Sequence, residues 1–379
     1  MRILVAPQEF KGSLSAREAA EAIARGLRRG LAGAEIELLP LADGGPGPVE
    51  TLVAATDGRF FETAAHDALG RPVRARWGAL GEESHASPTA LIESAAAAGL
   101  ALLRPDERDP RRATTLGVGE LLLVALDAGY RRVIVGVGGS ATNDGGAGLA
   151  QALGARLLDA QGEELPPGGA ALARLARIDI EALDQRLRET DVIVAADVSN
   201  PLCGAQGASL LYGPQKGASE PVAQELDAAL AQDAEIVRRD LGVAVADMPG
   251  AGAAGGLGAG LIAFCNAHIK PGFDVVAEVV GLAERVRRAD AVITGEGRLD
   301  RQSAFGKTTV GVAHAAREAG RPVVALVGSI EGGTDGEAAR PFDAVFALTP
   351  DLAPPDGAIA RAADLLSTAA ERWVTEWKG

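Results

Sequence analysis

The sequence predicts an α/β protein: a doubly wound sheet formed by both ends of the chain, with a second α/β domain inserted between them. Three observations carry this. At each end, short apolar runs alternate with segments of helical periodicity. The turns after the apolar runs are polar and glycine-bearing, as at the carboxyl ends of parallel strands. The chain has 379 residues, enough for two domains, and 47% of them are hydrophobic, so both are globular.

Residues 3–6 read as a buried strand, and residues 7–14 as a polar loop. Ser15 with Glu18 three residues later is a capping box. Ala20, Ile23, Ala24, Leu27 and Leu31 keep helical spacing, with Arg25, Arg28 and Arg29 toward the end where the helix dipole favours cations. Residues 35–40 form a second strand, 42–48 a turn, and 49–55 a helix. The far end repeats the pattern. Strands are expected at 290–294, 322–327 and 342–348, with a helix over 309–319 that stops at Gly320. Residues 1–62 and 288–379 therefore form one domain, and 63–287 the other.

In the inserted part, 73–77 and 90–93 are short strands and 116–128 a helix. Residues 132–137 are a strong strand that runs into a glycine-rich loop, 138–146, and a helix through 153. Residues 191–196 form another strand and 220–238 a long helix; 249–260 are rich in Gly and Ala.

Composition excludes several functions. Aromatics are 3% of the chain, too few for base-stacking platforms, and a net charge of −14 opposes nucleic acid and anionic membranes. No apolar run approaches the ~18 residues of a membrane span. Cys203 and Cys265 match no metal motif and read as reduced thiols, which points to the cytoplasm. The scattered His66, His85, His268 and His314 give no basis for a histidine metal site or catalytic triad.

Lysine is scarce and its placement informative: it occurs only at 11, 216, 270, 307 and 378. Lys11, Lys216 and Lys307 stand in glycine-bearing polar segments, where a compact ammonium lies beside backbone N–H groups that can face a phosphate. The loop from Gly138 to Gly146 joins a strand to a helix, an arrangement suited to an anion, and Ser140 and Thr142 add hydroxyl donors. Asn143 and Asp144 fit a ligand role or an N-cap. Carboxylates recur after strands, at Asp43, Asp144, Asp197, Glu296 and Asp300. One or two of them with substrate phosphates would satisfy Mg²⁺, and another could accept a proton. Two motifs fail. Gly306-Lys307-Thr308 lacks a P-loop because Arg301 stands where its first glycine belongs. Gly250 to Gly255 spells G-x-G-x-x-G but follows Met248-Pro249 rather than a strand, so a nicotinamide site is weakly supported.

Several segments in series resemble the type I glycerate kinases. They are Lys11 to Ala16, Ala42 to Gly45, Gly138 to Gly146, Asn200 to Leu202, Gly213 to Ala218, Pro249 to Gly256 and Thr294 to Asp300. The resemblance implies a Rossmann-like α/β domain from both termini with an inserted α/β domain. It also implies ATP-dependent phosphorylation of D-glycerate, most often to 2-phosphoglycerate, without a P-loop. Two loops depart from the family. Pro-Asp-Ser-Phe-Lys is here Pro7-Gln8-Glu9-Phe10-Lys11, and Ala-Asp-Gly-Gly-Glu-Gly-Thr is here Ala42-Asp43-Gly44-Gly45-Pro46-Gly47-Pro48.

The expected site is an interdomain cleft that takes D-glycerate, ATP and Mg²⁺. Lys11 and Lys216 neutralise the glycerate carboxylate or the transferring phosphoryl group. Asp43 or Asp197 holds Mg²⁺ or acts as base, and Gly138, Gly139, Ser140, Thr142, Asn143 and Asp144 cradle phosphate. Glu296, Arg298 and Asp300 form the opposing wall. Ser13, Gly44, Gly45, Asn200, Gln215 and Gly252 complete the binding set. The altered loops leave two other readings open: a non-catalytic glycerate-binding paralogue, or a kinase for a related hydroxy acid. Monomer and homodimer are both compatible with the chain.

Overall fold

The computed structural model describes residues 1–41, 48–81, 87–300, 308–334, 336–349 and 359–377. Its strands are β1 (Arg2–Val5), β2 (Glu35–Leu38), β3 (Arg59–His66), β4 (Pro72–Ala79), β5 (Thr89–Glu93), β6 (Arg132–Gly136), β7 (Arg156–Leu158), β8 (Arg177–Asp179), β9 (Asp191–Ala195), β10 (His268–Lys270), β11 (Ala291–Leu299), β12 (Val323–Ile330) and β13 (Ala344–Ala347). Its helices are α1 (Ala16–Gly30), α2 (Pro48–Ala55), α3 (Ala95–Ala98), α4 (Leu116–Asp127), α5 (Ala147–Ala152), α6 (Ala208–Tyr212), α7 (Glu220–Leu241), α8 (Ala253–Cys265), α9 (Gly272–Val279), α10 (Leu282–Arg288), α11 (Thr308–Glu318) and α12 (Ala362–Glu376).

The chain divides into two units, Met1–Gly44 with Phe273–Gly379, and Gly45–Gly272. Both divisions fall before the expected 62/63 and 287/288. The reason at the first is that β3 pairs antiparallel with β4 along its whole length, from Arg59–Ala79 to His66–Pro72, which ties residues 59–66 to the inserted part.

The first unit holds a five-stranded sheet in the order β13-β12-β11-β1-β2, every pairing parallel. Strands from both ends of the chain thus share one sheet. Ile3, Val5, Ile293 and Leu326 on one face pack with Ile23 and Leu27 of α1 and Leu366 and Trp373 of α12. Leu4, Val292 and Val323 are also fully buried. In a strand, Leu4 points opposite to Ile3 and Val5, so both faces are covered, as a parallel sheet requires. The capping box at α1 is present: Glu18 N–H donates to Ser15 Oγ (3.2 Å) and Ser15 N–H to Glu18 Oε2 (2.8 Å).

The second unit holds a six-stranded sheet, β10-β9-β6-β5-β4-β3, with β10 through β5 parallel and β4 and β3 antiparallel. A β7-β8 ribbon stands apart. The aliphatic core of this sheet, including Ile92, Val133, Val135 and Val194, packs with Leu121 and Leu122 of α4, Leu149 of α5, Leu230 of α7 and Leu257 of α8. Among the described residues no helix is long and apolar enough to cross a membrane.

Candidate active site

In the first unit β1 and β11 are parallel neighbours, so the loop after β1 and the end of β11 emerge at the same edge of the sheet. The loop is folded tightly on itself. Phe10 N–H donates to Leu14 O (2.8 Å) and Ser13 Oγ donates to Phe10 O (2.9 Å). A cavity of about 430 Å³ opens there. Gln8, Glu9, Lys11 and Ser13 line it from the loop, and Glu296, Arg298 and Asp300 from β11 and beyond. Ser329 and Thr349 add hydroxyls, and Leu348, Ile359, Ala362 and Leu365 an apolar wall. Arg298 Nε lies 3.8 Å from Asp300 Oδ2. The structure therefore gathers Lys11, Ser13, Glu296, Arg298 and Asp300 in one place. Asp43, Gly44 and Gly45 lie outside the described residues, as do the altered Pro46 and the segment 301–307.

In the second unit the loop after β6 is built around buried charge. Lys216 is only 3% exposed. Its Nζ donates to Thr142 O (2.7 Å) and Ser140 Oγ (3.1 Å), and burial lowers its pKa to about 8 against the pull of Asp144. Asp144 is fully buried. It accepts from Thr115 N (2.8 Å), Thr115 Oγ1 (2.9 Å), Gly148 N (3.2 Å) and Gly146 N (3.3 Å). Burial pushes its carboxyl up in pKa, and those hydrogen bonds oppose the shift. The amides that begin α5 are thus satisfied from within, and Asp144 caps α5 and fixes the loop rather than facing solvent. Thr142 Oγ1 donates to Ala254 O (3.3 Å), and Asn143 Nδ2 to Ser209 Oγ (2.8 Å). The exposed part of the loop is the backbone of Gly138 and Gly139.

The Gly250–Gly256 segment packs against this loop. Ala254, Gly255 and Gly256 have left-handed backbones (φ 53, 73 and 90) at the start of α8. A Cβ on Gly255 would lie 2.0 Å from Thr142 O, and one on Gly146 2.8 Å from Gly260 Cα. The glycines serve close backbone approach, not a nucleotide turn after a strand. Gly252 sits on Asn200: its N–H donates to Asn200 O (3.2 Å), and Asn200 Nδ2 donates to Pro201 O (3.3 Å). Asp197 follows β9, is exposed, and accepts from Gly272 N (2.8 Å). Gln215 is exposed beside Lys216.

Three polar residues of these regions are absent from the sequence-derived set. Gln8 is buried in the first unit's cavity wall. Glu93 ends β5, where it accepts from Val49 N (3.2 Å) at the start of α2, and burial raises its carboxyl to about 7. Asp233 of α7 lies beneath Gly145, whose added Cβ would meet Asp233 Oδ2 at 2.8 Å. Burial, with the negative Asp144 beside it, raises Asp233 to about 8. A carboxylate closing an apolar strand was the available signal for Glu93. Asp233 carries none, because helical spacing does not reveal what its face meets.

Among the described residues no cluster of three or more His, Cys, Asp or Glu side chains could hold a metal. Mg²⁺ does not need one, since one or two carboxylates and substrate phosphates suffice. Exposed Asp197 at a strand's carboxyl end fits that pattern. Each unit by itself presents groups suited to an anionic ligand, Lys11, Arg298 and hydroxyls in the first and a buried ammonium with exposed glycine backbone in the second, in a chain whose net charge would otherwise repel one.

Comparison with known proteins agrees with this chemistry. The model of the glycerate kinase family matches residues 3–378. Glycerate kinase of Bacillus subtilis (strain 168) is 48% identical over 370 residues, which cover 98% of this chain and 96% of that protein. Glycerate 2-kinase of Escherichia coli (strain K12) is 46% identical over 364 residues, covering 96% and 94%. A crystal structure described as glycerate kinase 2 from Salmonella typhimurium LT2 superposes with a TM-score of 0.87 at 44% identity, covering 99% of this chain and 98% of that one. The chain belongs to the glycerate kinase family.

Proposed function

We propose that this protein transfers the γ-phosphoryl group of ATP to D-glycerate, giving 2-phosphoglycerate. The observation that supports it best is Lys216, a buried ammonium held by Thr142 O and Ser140 Oγ of the loop whose exposed part is Gly138-Gly139. Burying a cation is costly, and its field favours an anion at the loop surface. Lys216 thus acts through the loop it fixes, as a positioning and electrostatic residue. Lys11 is exposed at the first unit's cavity and is free to reach a carboxylate or phosphoryl oxygen.

Phosphoryl transfer is catalysed mainly by positioning and charge stabilisation, so ammonium groups and backbone N–H groups are the expected tools. Mg²⁺ would neutralise phosphate charge, and Asp197 or Asp43 would hold it. A carboxylate near the acceptor hydroxyl would take its proton; Asp43 and Asp197 are the candidates. In the relatives named above, the E. coli protein is called a glycerate 2-kinase, which favours O2 as the acceptor here.

The test is ADP release coupled to D-glycerate, with the product identified by phosphorus NMR. Activity should disappear with EDTA and return with Mg²⁺. Lys11→Ala in one unit and Lys216→Met in the other should each lower turnover. Binding of D-glycerate without ADP release would instead make the chain a binding paralogue. Turnover with another hydroxy acid but not glycerate would move the substrate assignment.

A further inference from the structure

Gln8 follows β1 and lines the first unit's cavity. Its backbone is engaged: the N–H donates to Gly295 O (2.8 Å). The residue is only 6% exposed, and its Oε1 is buried with no hydrogen-bond partner among the described residues. A buried acceptor left unmade is destabilising, and an apolar side chain of similar volume would avoid it. The amide offers an acceptor oxygen but carries no charge and takes no proton. It adds no negative charge to the cavity beside Glu296 and Asp300.

We propose that Gln8 determines specificity by accepting, through Oε1, a hydrogen bond from a hydroxyl of the ligand in this cavity. Oε1 selects an O–H donor; a carboxylate or phosphate oxygen could be met only by the Nε2 amide of the same side chain. The kinase reading, on which the choice of ligands rests, supplies two carriers of such a hydroxyl: glycerate and the ribose of the nucleotide. A buried acceptor of this kind discriminates strongly against a ligand that lacks the partner group.

Calorimetric binding to the full chain tests it, comparing wild type with Gln8→Met and Gln8→Glu. One arm uses D-glycerate against D-lactate and 3-hydroxypropanoate, each lacking one hydroxyl. The other uses ATP against its 2′-deoxy and 3′-deoxy forms. In one arm, Gln8→Met should weaken the hydroxyl-bearing ligand about tenfold and leave the deoxy analogue unchanged. That arm identifies the ligand. Gln8→Glu, which retains the acceptor, should retain the discrimination. Gln8→Met should melt at or above the wild-type temperature, because the orphaned atom is gone. A KM increase with little change in kcat should accompany it. Unchanged selectivity ratios in both arms, or a marked loss of stability in Gln8→Met, would overturn the assignment. Wild-type ADP release separates the two failures: turnover with unchanged ratios removes the Gln8 role alone, and absence of both turnover and binding removes the kinase reading with it.

Discussion

Replacing Lys216 with Met should change how stability responds to pH, in a direction set by burial. The folded amine has its pKa lowered from 10.5 to about 8, with desolvation the chief cause. Below pH 8 the amine is charged in both states, and the folded state bears the desolvation cost. Between pH 8 and 10.5 the unfolded chain still holds the proton while the folded amine has released it. Stability therefore rises with pH across that window and levels off above it. At 1.36 kcal/mol per pKa unit the whole rise is about 3 kcal/mol, most of it reached by pH 10. Met fills the channel of the lysine stem but has nothing to titrate. Urea unfolding of both proteins at pH 7 and pH 10 measures the effect, and the difference of differences cancels every other group. The wild type should gain about 3 kcal/mol relative to Lys216→Met. Parallel pH responses would show that the ammonium is not buried as described, and the electrostatic argument for the loop would fall with it.

Other outcomes follow from the same geometry. Asp233→Asn should abolish a loss of stability that the wild type suffers as pH rises from about 4 to 8, because the folded carboxyl is raised to about 8. At pH 8 the variant should be more stable by several kcal/mol, on the order of one per pH unit crossed, as read from urea unfolding. Glu93→Gln should behave alike over the narrower window from 4.5 to about 7, with a gain of about 3 kcal/mol at pH 8. Gly255→Ala should destabilise by roughly 2–4 kcal/mol, since a Cβ would lie 2.0 Å from Thr142 O and φ is 73°; a melting shift of under a degree would contradict this. Lys11→Ala should leave the melting temperature unchanged, because the side chain is exposed, while turnover falls by about 100-fold or more.

Much of the fold could be read from periodicity and caps. The Ser15–Glu18 box, the apolar run 132–137 before the glycine loop, and the long α7 helix have local causes, and each formed where its residues predict. Strand β3 did not announce itself. It is an edge strand whose residues are largely exposed, so neither alternation nor a buried run marks it, and a domain boundary was expected inside it. For the candidate site, residue types were legible and their facing was not. Lys216 stands beside glycines, as a ligand-binding lysine might, yet tertiary packing turns it inward onto Thr142 O. Asp144 could equally have been ligand or cap, and its four donors make it a cap. The first unit's cavity joins residues 8–13 to residues near 298, 329 and 362, separations that no local pattern spans.

The bare contacts between residues 142–146 and 255–260 limit how this protein can change. Backbone meets backbone there, Gly146 against Gly260 and Gly256 against Gly145 Cα at 2.7 Å from a hypothetical Cβ, so no side chain remains to be resized. The two segments should move as a single body, and the amide of Gly145, bonded to Gly255 O (3.1 Å), should exchange slowly with solvent despite its place in a loop. Libraries aimed at new acceptor alcohols will find few viable members in that seam. The adaptable surface is in the first unit, at residues 8–13 and 296–300, where side chains give the cavity its shape.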